Sequence, residues 1–121
     1  MGYDSMSIPK YNIEIRKYCK WTLVLSEISL TLTDYGAIMQ IRSKDNTEII
    51  ELSTADDNGR IVIDVANSTI TLTILSSETA LFTDREGKYD LLLIDSDGEY
   101  IPFLEGAVNI IEGITIPEAV V

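Results

Sequence analysis

Short runs of alternating apolar and polar residues fill most of the chain, and compact polar turns separate them. Successive side chains on a strand point to opposite faces, so each run predicts a strand with one face buried. After the turn-like Thr33-Asp34-Tyr35-Gly36, Ala37, Met39 and Ile41 share one parity and Ile38, Gln40 and Arg42 the other. This gives a mainly apolar face and a mixed one. Tyr11–Arg16 alternates as the first strand. Cys19, Trp21, Leu23 and Leu25 share the next inward parity, which favours a buried, inert Cys19 over a reactive thiol beside Lys17 and Lys20 and makes Trp21 a core anchor. Thr47–Thr54 returns from the turn Ser43-Lys44-Asp45-Asn46, and Ala55–Gly59 turns the chain again into Ile61, Ile63 and Val65. Ala66-Asn67-Ser68 leads to Thr69–Ile74, where Ile70, Leu72 and Ile74 face in and three threonines face out.

Around 76–82 the apolar spacing becomes helical, and Ser76 or Ser77 is placed to cap one helical turn crossing between sheets. Gly87 opens Lys88–Asp95, whose centre, Leu91 to Ile94, is apolar on both faces and so belongs in mid-sheet. Asp97-Gly98 signals a hairpin turn of the primed type into Tyr100–Ile111, where Pro102, with no N–H to donate, suits a strand start or edge. The sum predicts an all-β chain: a two-sheet antiparallel immunoglobulin-like sandwich of about eight strands with one short helical turn near 76–82. A small closed barrel is the alternative arrangement. Residues 1–10 read as a flexible arm, 11–111 as the β-sandwich domain and 112–121 as an extended C-terminal tail. The tail carries Ile114, Ile116, Val120 and Val121 beyond a finished sandwich. It either folds back on the body or lies along an open sheet edge of an adjacent subunit. The arm around Ile8 and Pro9 admits the same two readings, and these six residues are the candidate protein-interaction sites.

At 121 residues the chain is one domain by size and long enough to bury about two-thirds of its unfolded surface. With one cysteine it has no internal disulfide. Twenty acidic residues against nine basic give a net charge of −11, which argues against nucleic acid as a partner, because backbone binding needs clustered Lys and Arg. The cations Lys10, Arg16, Lys17 and Lys20 lie near the start and the chain is acidic from Asp45 onward. This is either a solvated surface or a dipolar one that docks on a neighbouring copy. Apolar runs of a few residues predict no membrane-spanning helix, and the N-terminus has no hydrophobic signal region, so Sec export is not expected.

The chain contains no histidine. That removes the commonest general base, the usual zinc ligand and the common nucleophile–base pairs, so no enzymatic activity, cofactor or metal is expected. Asp95-Ser96-Asp97-Gly98-Glu99 and Asp56-Asp57-Asn58-Gly59 gather carboxylates at glycine turns. Neither continues into the distant bidentate Glu of a calcium loop, so a plain turn is the reading favoured over a bound cation. Tyr11, Tyr18, Tyr35, Tyr89 and Tyr100 are scattered, mostly in phase with strand cores, unlike the clustered aromatics of sugar-binding sandwiches.

Leu32-Thr-Asp-Tyr-Gly-Ala-Ile-Met-Gln-Ile-Arg42 resembles the Leu-Thr-Gly-Tyr-x-Ala-x-Met-Gln-Ile-Arg segment of small structural proteins of tailed bacteriophages. These include the N-terminal domain of the upper baseplate protein of siphophages infecting lactic-acid bacteria. The likeness continues in order through Glu51–Thr54, Gly59–Ile63, Ser68–Ile74, Ser77–Ala80, Gly87–Leu91, Asp95–Gly98 and Leu104–Val108, covering about 11–110. One motif departs: where the family has a Gln-Gly-Asp-like turn, this chain has Arg16-Lys17-Tyr18-Cys19-Lys20. The resemblance implies an immunoglobulin-like building block of a virion, made in the host cytoplasm. It would be an assembly or adaptor module of the tail, baseplate or tail-fibre apparatus, with other virion proteins and copies of itself as partners. Capsid or neck decoration, or a host glycan-binding adhesion module, are the alternatives. No catalytic residue carries over.

Overall fold

The computed structural model describes residues 8–117. Eight strands and one helical turn follow in chain order: β1 (Ile13–Arg16), β2 (Trp21–Leu25), β3 (Gly36–Ser43), β4 (Glu48–Ser53), β5 (Ile61–Asp64), β6 (Thr69–Ile74), α1 (Ser76–Thr79), β7 (Glu86–Ile94) and β8 (Tyr100–Ile111). They form two open sheets and no closed barrel: five strands in the order β1-β8-β7-β3-β4, and three in the order β2-β6-β5. The chain crosses between layers after β1, β2, β4 and β6, which is the connectivity of an immunoglobulin-like sandwich. One pairing is not antiparallel, contrary to the sequence expectation. β1 runs parallel to β8, Ile13 opposite Val108 and Arg16 opposite Ile111. An alternating pattern fixes which face is buried and says nothing about the direction of the neighbour.

The inner faces meet in one core. Ala37, Met39, Ile41, Leu91 and Leu93 of the larger sheet lie against Ile70, Leu72 and Ile74 of the smaller, with Leu32 and Phe82 closing in from the connections. β7 occupies mid-sheet, as its doubly apolar centre predicts, with β3 on one side and β8 on the other. Pro102 sits where the register shifts between β7 and β8, on the stretch of β8 that β1 does not reach. No ladder bond is demanded of it there.

Several local expectations need correction. Cys19 is exposed. Tyr18, at φ 70°, turns the chain after β1, and Cys19 N–H donates to the Arg16 carbonyl within that turn, so strand parity does not carry through it. Trp21, Leu23 and Leu25 are half-buried, since β2 is an edge strand. Val65 lies beyond β5 and is exposed, and Tyr11 and Tyr100 are also exposed. The Asp97-Gly98 hairpin is not primed: Gly98 has φ 83° while Asp97 keeps a negative φ. Gly98 N–H bonds the Asp95 carbonyl, and Asp95 Oδ1 accepts from the N–H groups of Asp97 and Glu99. This is a three-residue loop with glycine in the left-handed position. The start of α1 is capped by neither serine. Its N-cap is Leu75, whose N–H donates to the Glu78 carboxylate at 2.8 Å.

That carboxylate also receives Arg60, with Nε and Nη2 at 3.0–3.2 Å. Burial pushes the Glu78 pKa up, but the Arg60 hydrogen bonds, the Leu75 N–H and the Arg60 charge together hold it below its ordinary value. The pair ties the β4–β5 connection to α1. Thr79, fully buried beneath it, donates to the Cys19 carbonyl at 2.9 Å.

Candidate functional site

Among the described residues, the segment ahead of β1 lies along the middle of β8, and the segment after β8 leaves it beyond Ile111. Upstream of β1, the segment 9–12 runs along β8. Glu105 N–H donates to the Pro9 carbonyl at 3.1 Å, Tyr11 N–H to the Glu105 carbonyl at 2.8 Å, and Ala107 N–H to Asn12 Oδ1 at 3.0 Å. Tyr89, reaching up from β7, donates its hydroxyl to the Tyr11 carbonyl at 2.5 Å. Ile8 is half-buried and Pro9 exposed. The part of the predicted arm from Pro9 to Lys10 is therefore laid on the body of the molecule.

The Tyr89 hydroxyl is pushed up to about 12 by burial, with the Tyr11 and Glu105 charges adding to the effect. Below pH 10 the tyrosine keeps its proton in both folded and unfolded chains, and its contribution to stability is complete. From pH 10 to 12 the unfolded chain gives up the proton first, so stability falls by about 1.4 kcal/mol per pH unit. Tyr89→Phe should cost about 1 kcal/mol at neutral pH and remove this alkaline decline. Urea unfolding of both proteins across pH 8–12 checks it.

At the other end, Lys17 N–H donates to the Ile111 carbonyl at 2.8 Å. Gly113, at φ 76°, then turns the chain outward beside the Arg16 guanidinium. Ile114 is 92% exposed and Ile116 63%. Of the two readings of the tail, the fold-back fails for these residues. Val120 and Val121 lie outside the described residues. The candidate interaction residues thus form two separate sets: Ile8 and Pro9 ahead of β1, with the Pro9 carbonyl held by Glu105 N–H, and Ile114 and Ile116 beyond Ile111. Of the early cations, Lys10 pairs with Glu105 at 2.7 Å and Lys17 approaches Glu112 at 3.9 Å, so part of that charge is answered within the chain.

Two concavities accompany the ends. An apolar notch of about 420 Å³ opens between Val24–Leu30 and the free stretch of β8 at Phe103–Leu104. A polar cleft of about 610 Å³ lies on the outer face of the larger sheet, lined by Lys10, Gln40, Arg42, Lys88, Asp90 and Glu105 among others. Sequence reasoning places Gln40 and Arg42 on the mixed face of β3 but does not find the cleft. Its assembly depends on the register that sets Arg42 opposite Lys88 and Gln40 opposite Asp90. Among the described residues, no group of three or more Asp, Glu or Cys side chains is placed to hold a metal ion. In the turns considered for a cation, Asp95 is engaged by its own loop and Asn58 Oδ1 accepts the N–H groups of Ser53 and Arg60. No family model matches the chain, and no curated protein matches it.

Proposed function

We propose that the chain is a non-catalytic structural module of a tailed-phage virion. In this reading it is an adaptor of the tail, baseplate or fibre apparatus that docks on neighbouring subunits through its C-terminal segment. Two lines of support come from the sequence: the ordered likeness to small phage structural proteins over 11–110, and a net charge of −11 that disfavours a nucleic-acid partner. The observation that carries the proposal is the projecting Gly113-Ile114-Thr115-Ile116, whose two isoleucines stand in solvent beyond a completed sandwich. Alternating Ile-Thr-Ile suits a strand added to a neighbour's open edge, where main-chain bonds give affinity and alternate side chains give specificity.

Removal of residues 114–121 tests it. The exposed isoleucines contribute little to the isolated fold, so unfolding free energy should change by less than about 0.5 kcal/mol, while incorporation into particles is lost. A truncated protein that unfolds, or one that assembles normally, contradicts the proposal.

A further inference from the structure

On the outer face of the larger sheet two like-charge pairs meet at β7, although Arg42 also has Glu48 of β4 opposite it on its other flank, outside ion-pair distance. Arg42 on β3 stands directly opposite Lys88 on β7, and one step along the strands Asp90 on β7 stands opposite Glu105 on β8. Directly opposed side chains on neighbouring strands have Cβ atoms about 5 Å apart, and like charges at that spacing destabilise a sheet. In a chain with 20 acids and 9 bases, carboxylates are the commoner neighbours, yet four ion pairs occur among the described residues and neither Arg42 nor Lys88 belongs to one.

Arg42 is nevertheless held in place. Its Nε and Nη2 donate to Gln40 Oε1 at 3.1 and 2.6 Å, and its Nη1 to the Asn46 carbonyl at 2.8 Å. Gln40 is oriented in turn by donating Nε2 to Glu51 Oε1 at 2.8 Å. Three of the five guanidinium N–H groups are engaged, two have no hydrogen-bond partner among the described residues, and Arg42 lines the cleft. Lys88 lines the same cleft with three rotatable donors. Asp90 and Glu105, the acidic row beside this pair, are acceptors suited to hydroxyl groups, and Lys10 bonds Glu105 from the rim at 2.7 Å.

We infer that this cleft binds an anionic sugar. Its carboxylate or phosphate would sit between Arg42 and Lys88, and its hydroxyls would donate to Asp90 and Glu105. A pre-oriented guanidinium with a second cation beside it is strong oxyanion chemistry. The carboxylate row turns away an acidic partner that lacks hydroxyls to donate. The inference is independent of the virion proposal, since a sugar site serves a free protein as well as an assembled one.

The test is titration of the full chain with glucuronate, glucose 6-phosphate and glucose, followed by two-dimensional NMR and calorimetry. Both charged sugars should bind in the millimolar range and shift the amides of residues 40–42, 88–90 and 105–107, with glucose at least about tenfold weaker. Lys88→Gln should weaken both charged sugars about tenfold or more. Because it relieves a like-charge pair, it should leave the melting temperature unchanged or slightly raised. Arg42→Gln should also abolish binding, and circular dichroism reports whether it folds. Added salt should weaken binding. Absence of binding, equal binding of glucose, or unchanged affinity in folded Lys88→Gln overturns the inference.

Discussion

Gly106→Ala should be among the most damaging single-methyl changes in this chain. A Cβ built at Gly106 falls 2.2 Å from the Tyr11 carbonyl oxygen, 2.7 Å from its carbon and 3.2 Å from Asn12 N. These are backbone atoms, so no side-chain rotation relieves the clash. The requirement is close approach, since the peptide after Tyr11 lies directly over β8 at this residue. To admit the methyl, the segment ahead of β1 must swing away, breaking the Tyr11 N–H bond to Glu105, the Tyr89 hydroxyl bond to Tyr11 and the Ala107 bond to Asn12. At about 1 kcal/mol for each bond, with strain added, the expected loss is about 3–5 kcal/mol. Urea unfolding measures it, and hydrogen exchange should show the amides of Tyr11, Glu105 and Ala107 losing protection before the rest. A loss below about 1 kcal/mol would mean that the segment does not cross β8 as described.

Leu91→Ala should cost a comparable amount by a different route. Leu91 is fully buried at the centre of β7, opposite Met39 on β3 and Leu104 on β8, and faces the smaller sheet. Truncation loses the transfer free energy of the removed atoms and leaves a cavity between two sheets that hydrogen bonding holds apart, about 3–4 kcal/mol in all. The adjacent Leu92 points to the outer face and is half-buried, so Leu92→Ala should cost about 1 kcal/mol or less. Equal losses from the two would contradict the assignment of faces.

The contrast between these two positions shows what the sequence makes legible. Parity is local, so Ala37, Met39 and Ile41, and Ile70, Leu72 and Ile74, can be assigned to the core by inspection, and all six are buried. The span Tyr100–Ile111 and the short helical turn after β6 are equally readable, because a hairpin loop and a change of period mark them. Cys19 is misread because parity was carried across a turn that the left-handed Tyr18 interrupts. The parallel β1–β8 pair and the Gly106 crossing are non-local. Nothing in Tyr11 or Gly106 alone says that they meet.

The same distinction governs the surface. The exposed isoleucines of the tail are visible in the sequence, because a strand-like run past the last predicted strand has no partner there. The Arg42–Lys88 pair is not, because 46 residues separate the two and only the register of β3 on β7 makes them neighbours. A reading confined to motifs finds the chain chemically inert. The folded sheet instead puts two cations without ion-pair partners among the described residues beside each other in a cleft.

In the proposed role, a self-sufficient sandwich joins a particle through its projecting C-terminal segment. Quantitative mass spectrometry of purified particles tests it most directly, comparing the full chain with the variant lacking 114–121 at matched expression. The account predicts the full chain in the particles at a fixed ratio to the other structural proteins, and the shortened chain folded but left in the soluble lysate. Absence of the full chain from particles, or equal incorporation of both, would contradict it.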